Sequence, residues 1–237
     1  MSLRSCAPLA LLLVSGCPSS PATDAGAGTP DAPLALDAPS APDAPGEYVP
    51  DGFTRTPDLG DGSVHSFPAG PDMVLEAGVD YAMVLETDVG RLVIDLLEDE
   101  APISTNSYVF LARQRFFDGT NFHRVIEGFM AQGGDPNTLG ASRSRWGLGD
   151  AGYAMDIEVT SGGATFDGPG VMGMANAGPG TNSSQFFLTF ASAHHLDGGG
   201  FTIVGRVTEG LDVLPSIARG EPPTTPTVVT RAYIVQR

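Results

Sequence analysis

Short apolar runs separated by glycine-containing turns make up most of the chain after residue 80. Residues 81–87 and 91–97 have the apolar, β-branched composition of strands, and the sequence DVG between them, ending at Gly90, predicts a hairpin. Six further runs of the same kind follow, at residues 122–126, 129–132, 171–175, 185–190, 202–207 and 228–235. A chain of many short strands joined by tight turns favours a closed β-barrel.

Two segments have the pattern of helices that would lie over the ends of such a barrel. Pro102 suits the first turn of a helix, where no amide donor is needed, and residues at helical spacing follow it as far as Gln114. A second, shorter helix is expected at residues 211–218 and would end before Gly220, although Pro215 interrupts it. Because a barrel this small is filled by its own side chains, a ligand site must lie on its outer surface.

The N-terminus has the features of an export signal. Arg4 precedes an apolar run at residues 8–14, which is too short to span a bilayer. The run ends in the sequence VSGC, which resembles a bacterial lipobox, and Cys17 would then carry the lipid. The alternative is an ordinary signal peptide with an incidental cysteine. The lipobox predicts a signal peptide at residues 1–16 and an exported protein, lipid-anchored in the cell envelope at the outer membrane.

Residues 17–70 predict a tether between that anchor and the folded part. Up to about Pro50 the segment is proline, alanine, serine, glycine and aspartate, and it cannot bury enough apolar surface to offset its ordering entropy. Residues 51–70 stay rich in the same residue types and are expected to be disordered or loosely docked. The folded domain is therefore predicted at residues 71–237. It would contain no disulfide, because Cys6 leaves with the signal.

The charge of the chain argues against nucleic acid as a partner. The formal net charge is −16, and every basic side chain apart from the histidines is an arginine. Such a chain is repelled by phosphate backbones and gains no attraction from anionic lipid. Membrane association would therefore depend on the lipid anchor alone.

The segment from Phe122 to Pro136, with the sequence FHRVIEGFMAQGGDP, carries the most informative chemistry. Alternate residues of a strand share a face, so Arg124 and Gln132 would lie on the same side if the pleat runs through both. Phe129 and Met130 place apolar surface beside the guanidinium. An arginine beside an apolar pocket is poorly suited to catalysing hydrolysis, but it is well suited to binding a peptide around a proline.

Three blocks of sequence together resemble the signatures of the cyclophilins, the peptidyl-prolyl cis/trans isomerases. They are FHRVIEGFMAQGGDP at residues 122–136, MGMANAGPGTNSSQFF at residues 172–187, and LDG with FTIVGRV at residues 196–198 and 201–207. Three long blocks in the family's order are far more specific than one short motif. The resemblance implies a closed, eight-stranded antiparallel β-barrel capped by two α-helices, in a monomer that binds proline-containing polypeptides and needs no cofactor or metal.

The resemblance also assigns the site, with Arg124 in the position of the catalytic arginine. Rotation about an X–Pro bond meets a barrier of about 18–20 kcal/mol, and the twisted prolyl nitrogen is a better hydrogen-bond acceptor than the planar one. A guanidinium directed at that nitrogen would stabilise the transition state more than the ground state. The residues that match the family's substrate-binding positions are Phe129, Met130, Gln132, Ala175, Asn176, Gln185, Phe187, Leu196 and Phe201.

The chain departs from the family pattern at several places near this site. Glu127 replaces a usual proline, and Ser183 replaces a usual glycine. His195 stands where cyclosporin-sensitive members have tryptophan, which implies weak cyclosporin binding because the indole contact is lost. The run at residues 143–147 replaces a more glycine-rich segment. His123 belongs to the signature but is expected to be structural.

Two functions of different kinds fit these observations. The first is a prolyl isomerase that assists the folding of exported proteins. The alternative is a non-catalytic module that holds proline-containing segments in the manner of a chaperone. An intact Arg124 favours the enzyme, since binding alone would not require it.

Overall fold

One antiparallel sheet of nine strands carries the fold in the computed structural model, which describes residues 46–158 and 163–237. The strands are β1 (Thr54–Arg55), β2 (Tyr81–Thr87), β3 (Gly90–Leu96), β4 (Arg124–Ile126), β5 (Met130–Gly133), β6 (Val171–Met174), β7 (Phe186–Thr189), β8 (Ile203–Glu209) and β9 (Val229–Gln236). Their order in the sheet is β1-β9-β2-β3-β8-β6-β7-β5-β4. The eight strands expected from the sequence correspond to β2–β9, and the two-residue β1 is an addition.

Hydrogen bonds outside the regular strands connect the two ends of this order. Asn121 forms an isolated antiparallel bridge with Val228, and Val125 forms another with Gly220. These bridges tie the chain around β4 to the chain that leads into β9. The sheet ladder itself is not continuous around the barrel, but the mainly β, barrel-like fold expected from the sequence is confirmed.

A single α-helix, α1 (Pro102–Arg113), lies in the described residues. Pro102 occupies its first turn, as predicted. The Glu158 carboxylate accepts hydrogen bonds from the amides of Ile103 and Ser104 at 3.0 and 2.5 Å, and so satisfies two of the donors that a helix N-terminus leaves free. The helix buries Tyr108 and Leu111, among others, against the inner face of the sheet.

The second capping α-helix is not formed. Leu211–Ser216 adopts a 3₁₀ helix instead, and the chain is extended at Ile217. Pro215 lacks the amide hydrogen that an α-helix needs, and its ring clashes with the preceding turn. The proline that weakened the prediction therefore explains the difference.

Apolar residues that alternate along the strands form one inner core and two outer clusters. The inner core contains Met83, Ile94, Met172, Leu188 and Ile234, together with the buried face of α1. Their neighbours along the strands point outward, as the pleat requires. One outer cluster, on β2, β3 and β9, contains Ala82, Val84, Val93, Tyr233 and Val235. The other, which adjoins β5–β8, contains Met130, Phe166, Val171, Phe187, Ala193 and Ile203.

The residues before the domain boundary predicted at residue 71 differ from the expected tether. Residues 46–56, here called the N-terminal strap, include β1, which pairs with the end of β9. Tyr48, Val49 and Phe53 of the strap pack on the outer cluster of β2, β3 and β9. Further along, the Phe67 ring lies 5.0 Å from that of Phe110 on α1. Three aromatic side chains in a segment of low overall hydrophobicity are enough to dock it.

The structure does not describe the first 45 residues, which include the other N-terminal segments predicted from the sequence. The signal peptide at residues 1–16, Cys17 and most of the tether lie outside the described residues. Within the two described ranges, no helix has both the length and the apolar character needed to cross a membrane.

Candidate active site

The register of three neighbouring strands brings the central polar residues together. Arg124 on β4 is directly opposite Gln132 on β5, and Gln132 is directly opposite Phe187 on β7. Directly opposed residues in antiparallel strands share a face of the sheet. The structure therefore places Arg124 and Gln132 on the same side, as the sequence predicted.

A cavity of about 490 Å³ opens on this face. Its lining includes all ten of the catalytic and substrate-binding positions inferred from the resemblance: Arg124, Phe129, Met130, Gln132, Ala175, Asn176, Gln185, Phe187, Leu196 and Phe201. Sequence reasoning assigned no role to the other lining residues, which are Gly147, Leu148, Gly149, Asp150, Ala177, Thr181 and Ser183, although it placed Ser183 and Gly147 near the site as departures from the family pattern. Three of these lie inside the second sequence block and could have been found there, whereas residues 147–150 belong to no block.

Aromatic side chains form the apolar wall of the cavity. Phe187 and Met130 are almost fully buried at its base. The ring of Phe201 meets that of Phe187 edge to face, with centroids 5.8 Å apart, and Phe129 lies 5.3 Å from the His195 ring. A Cβ atom on Gly173 would lie 2.5 Å from Phe187 Cζ, so only glycine at this position leaves room for the ring.

A chain of amide hydrogen bonds lines the opposite wall. Gln132 Nε2 donates to Gln185 Oε1 at 2.8 Å. Gln185 Nε2 in turn donates to the carbonyl oxygens of Gly147 and Gly149, at 3.1 and 2.7 Å. These bonds fix which atom of each side-chain amide faces which partner. The loop at residues 147–149, which no motif contains, is therefore held directly against the site.

Asn176 holds the rim of the cavity together. Its Nδ2 donates to Asn182 Oδ1 at 3.0 Å and to the carbonyl of Gly200 at 2.9 Å. Its Oδ1 accepts from the amide of Gly178 at 3.1 Å. With three bonds to neighbouring loops, this side chain fixes the chain after β6 where it lines the cavity.

Arg124 stands at the rim with 44% of its side chain exposed. Its Nε donates to Glu221 Oε2 at 2.8 Å. Glu221 lies far along the chain from every sequence block, and sequence reasoning missed it. No pattern near Glu221 signals this contact, because it depends on the bridge between Val125 and Gly220.

His123 directly precedes β4 and faces inward. It is 4% exposed, and burial lowers the pKa of its imidazole below the usual 6.5, so the ring is neutral at pH 7. Gly147 lies against this ring, with Nε2 3.6 Å from where a Cβ would be. These contacts fit the structural role expected for this residue.

Two of the departures from the family pattern have identifiable partners. Glu127 is exposed and accepts a hydrogen bond from Arg219 Nε at 2.6 Å, and neither residue lines the cavity. Ser183 Oγ donates to the carbonyl of Tyr153 at 2.7 Å and accepts from the amide of Ala151 at 3.0 Å. The serine hydroxyl therefore ties the segment at residues 151–153 to the cavity, a link that glycine could not make.

Comparison with known proteins agrees with this geometry. Residues 82–235 match the family model described as "Cyclophilin type peptidyl-prolyl cis-trans isomerase/CLD". The chain is 42% identical to "Peptidyl-prolyl cis-trans isomerase-like 1" of Gibberella zeae over 132 residues, which cover 56% of this chain and 78% of the relative. It is 41% identical to the Homo sapiens protein of the same name over 137 residues, which cover 58% and 79%.

A solved structure gives the same result. The crystal structure of a Cryptosporidium parvum cyclophilin type peptidyl-prolyl cis-trans isomerase "in the presence of dipeptide ala-pro" is 27% identical to this chain, with a TM-score of 0.57. The match covers 65% of this chain and 98% of the Cryptosporidium chain.

These relatives contradict the predicted location. The sequence predicted a lipid-anchored protein of the cell envelope, but the matched proteins are isomerase-like 1 proteins of fungi and animals rather than envelope lipoproteins. The prediction rested on the residues around Cys17, which lie outside the described part of the chain. A four-residue resemblance at one end is weak beside a match that spans the folded domain.

The fold, the set of residues that lines the cavity and the family match lead to one conclusion. The activity is the cis-trans isomerisation of peptidyl-prolyl bonds. The chain belongs to the family of cyclophilin type peptidyl-prolyl cis-trans isomerases.

Proposed function

We propose that Arg124 is the catalytic residue and that the cavity beside it binds the proline ring and the flanking backbone of a polypeptide. The observation that carries the proposal is the position of the guanidinium, exposed at the rim of an apolar cavity of about 490 Å³. The proline ring would pack on Phe129, Met130, Phe187, Leu196 and Phe201. Burial of a ring of this size supplies affinity without fixing the X–Pro bond in either isomer.

The remaining lining residues suit the substrate backbone. Gln132 and Gln185 hold each other and present polar atoms beside Arg124. Ala175 and Asn176 follow the end of β6 and line the part of the cavity along which the substrate chain would run. A cavity on the outer surface of the barrel accepts a segment of a long chain, and the Ala-Pro dipeptide used with the Cryptosporidium relative is the shortest such segment.

The chemistry needs no metal, cofactor or covalent intermediate. As the X–Pro bond twists, the prolyl nitrogen loses conjugation with the carbonyl, and its lone pair becomes localised and able to accept a hydrogen bond. A guanidinium N–H that donates to this nitrogen stabilises the twisted state and has no equal partner in either planar state. Removal of one such donor in other enzymes costs about 100- to 1,000-fold in turnover.

The folded unit is proposed to begin near residue 46 and to act as a monomer. The strap covers the outer cluster of β2, β3 and β9 within the same chain. The second outer cluster lies beside the substrate cavity. Among residues 46–158 and 163–237, no further outer cluster is then left for a second copy to cover.

The test is exchange spectroscopy of an Ala-Pro peptide with the full chain, its Arg124→Ala variant and an Arg145→Ala variant. Arg145 is an exposed arginine of the nearby 3₁₀ turn and is a matched control for loss of one positive charge. We expect Arg124→Ala to lose about 100-fold or more in exchange rate while peptide affinity changes far less, and Arg145→Ala to match the wild type.

Two results would contradict the proposal. Wild-type exchange rates in Arg124→Ala would remove this residue from the catalytic step. Peptide binding by the wild type without any acceleration of exchange would favour the alternative, a module that holds proline-containing segments without isomerising them.

A further inference from the structure

Arg124 has a carboxylate partner that none of the sequence blocks contains. Glu221 Oε2 accepts a hydrogen bond from Arg124 Nε at 2.8 Å. In the described part of the chain, no hydrogen bond engages the two terminal nitrogens of the guanidinium. We propose that Glu221 is a positioning residue, which holds Arg124 by its Nε–H and leaves the terminal nitrogens for the substrate. This inference rests on the proposed catalytic role of Arg124.

The backbone fixes the place of Glu221. Val125 N donates to Gly220 O at 2.8 Å, and Gly220 N donates to Val125 O at 2.9 Å, so the two residues form an antiparallel bridge. In an antiparallel pair the residue before one partner lies opposite the residue after the other. Arg124 is therefore opposite Glu221 on one side and opposite Gln132 on the other. The cross-strand neighbours of Arg124 are thus a carboxylate residue and an amide residue.

The turn at Arg143–Arg145 holds the loop that carries Glu221. Arg143 Nη1 donates to the carbonyl of Pro223 at 2.9 Å, and Nη2 donates to that of Thr224 at 2.8 Å. The same guanidinium lies 5.1 Å from the centre of the Trp146 ring. These contacts fix the backbone two and three residues beyond Glu221. The segment that departs from the family's glycine-rich pattern thus acts on Arg124 through Glu221.

Exposure of the Arg124–Glu221 pair determines the size of the expected effect. The two side chains are 44% and 53% exposed, and ion pairs in water contribute little to folding stability. Loss of Glu221 should therefore leave the unfolding transition near that of the wild type. An arginine freed to sample other rotamers would be correctly placed for a smaller fraction of the time, which predicts a loss of about two- to fivefold in kcat. KM should hardly change, because Glu221 does not line the cavity.

The experiment compares Glu221→Ala, Glu221→Gln and Glu127→Ala in the full chain. Glu127→Ala removes an equal charge close by, but its carboxylate pairs with Arg219 rather than with Arg124. We expect Glu221→Ala to lose about two- to fivefold in kcat for an Ala-Pro peptide, with KM unchanged. Glu221→Gln keeps an acceptor oxygen and should recover most of that loss, and Glu127→Ala should match the wild type. The ¹⁵Nε resonance of Arg124 should shift in Glu221→Ala and in neither of the others.

A double-mutant cycle tests the contribution of Arg143. If Arg143 acts through Glu221, Arg143→Ala should lower kcat in the wild-type background and have no further effect in Glu221→Ala. Arg145→Ala is the control on the same turn, since its side chain donates no hydrogen bond to any residue that the structure describes.

The outcomes separate this inference from the proposal on which it rests. Unchanged or raised kcat in Glu221→Ala, with activity lost in Arg124→Ala, would overturn the role of Glu221 and keep Arg124 catalytic. An equal loss in Glu221→Ala and Glu127→Ala would also overturn it, because general electrostatics would then explain both. Wild-type activity in Arg124→Ala would instead refute the proposed function itself.

Discussion

Two outer faces of one sheet carry apolar clusters, and the chain leaves only one of them open. On β2, β3 and β9 the outward residues are covered by Tyr48, Val49 and Phe53 of the strap. On the side of β5–β8 the outward residues, with Phe187 at their centre, adjoin the cavity of about 490 Å³. Large exposed apolar patches are rare unless they bind something. The covered cluster therefore stabilises the fold, whereas the open cluster is available to bind a substrate.

The covered face is closed by polar contacts as well as by packing. Tyr48 Oη donates to Glu209 Oε2 at 2.7 Å, and the Arg91 guanidinium lies 4.1 Å from the centre of the Tyr48 ring. Arg237 lies 4.6 Å from the centre of the Phe53 ring. Each aromatic residue of the strap therefore has a cationic neighbour, which strengthens its docking. A second cavity, of about 440 Å³, remains at this face, and charged residues such as Asp51, Asp95 and Arg237 lie in its lining.

Removal of the strap is expected to have the largest effect. Deletion of residues 1–70 removes the strap together with Phe67, and so takes away three partly buried aromatic side chains, Tyr48, Phe53 and Phe67. Full burial of such a side chain is worth about 1.5–3 kcal/mol. Because the three are only partly buried, the free energy of unfolding should fall by about 3 kcal/mol, a large part of the stability of a typical domain. Chemical denaturation measures this loss, and deletion of residues 1–45 is the control that keeps the strap. Equal stability of the two deletions would mean that the strap only rests on the sheet.

A methyl group at Gly173 should close part of the open face. Gly173→Ala places a Cβ 2.5 Å from Phe187 Cζ, so the ring must shift from its present position at the cavity. Overpacking of this kind costs about 1–3 kcal/mol, and we expect peptide affinity to fall together with stability. Calorimetric titration with an Ala-Pro peptide measures the affinity. Gly140→Ala is the control, because a Cβ there meets nothing within 4 Å. Unchanged affinity in Gly173→Ala would show that Phe187 is not part of the proline site.

The partly buried carboxyl group of Glu98 should make the free energy of unfolding depend on pH. Burial, followed by the charges of Asp80, Asp95 and Asp99, raises the pKa of Glu98 from 4.5 to about 7. Because the folded-state pKa is raised, the folded state binds more protons than the unfolded state between these values, and stability falls as the pH rises through 7. Glu98→Gln should therefore stabilise the chain at pH 8, by about 1 kcal/mol after allowance for partial solvent exposure, and have little effect near pH 4.5.

Urea denaturation of Glu98→Gln and the wild type at these two pH values measures the difference. An equal effect at both would show that Glu98 is ionised with an ordinary pKa in the folded chain.

The smallest expected effect concerns the rim of the open face. His195 lies 5.3 Å from Phe129 and stands where cyclosporin-sensitive members of the family have tryptophan. We expect His195→Trp to tighten cyclosporin A binding by about two- to fivefold, since an aromatic pair of this kind contributes about 0.5–1 kcal/mol. Inhibition of exchange by cyclosporin A measures the change, with His194→Trp as the control. Nanomolar inhibition of the wild type would contradict the expectation of weak binding.

The sequence predicted the open face better than the covered one, for a physical reason. Arg124, Gln132 and Phe187 lie in long blocks whose residue types are set by the chemistry of the site. Strand periodicity then places them on one face. The strap has no such block, because Tyr48 and Phe53 are isolated aromatics in a segment whose average composition predicts disorder.

Glu221 and the loop at residues 147–149 show the same limit within the site itself. Both reach the site through backbone pairing and side-chain contacts between segments distant along the chain. Neither arrangement leaves a periodic pattern in the sequence. The 3₁₀ helix at Leu211–Ser216 is a different case. Pro215 argued against an α-helix there, but the helical spacing of the neighbouring residues led to the prediction of one.

The most direct test of which outer face binds the substrate is a titration of the ¹⁵N-labelled full chain with an Ala-Pro peptide. The chemical shifts of the backbone amides report where the peptide binds. We expect shifts at Gly149, Ala175 and Gln185 around the open cavity, and none at Tyr48 or Phe53 of the strap. Shifts confined to the strap and its 440 Å³ cavity would contradict this expectation, because the covered face would then bind the substrate.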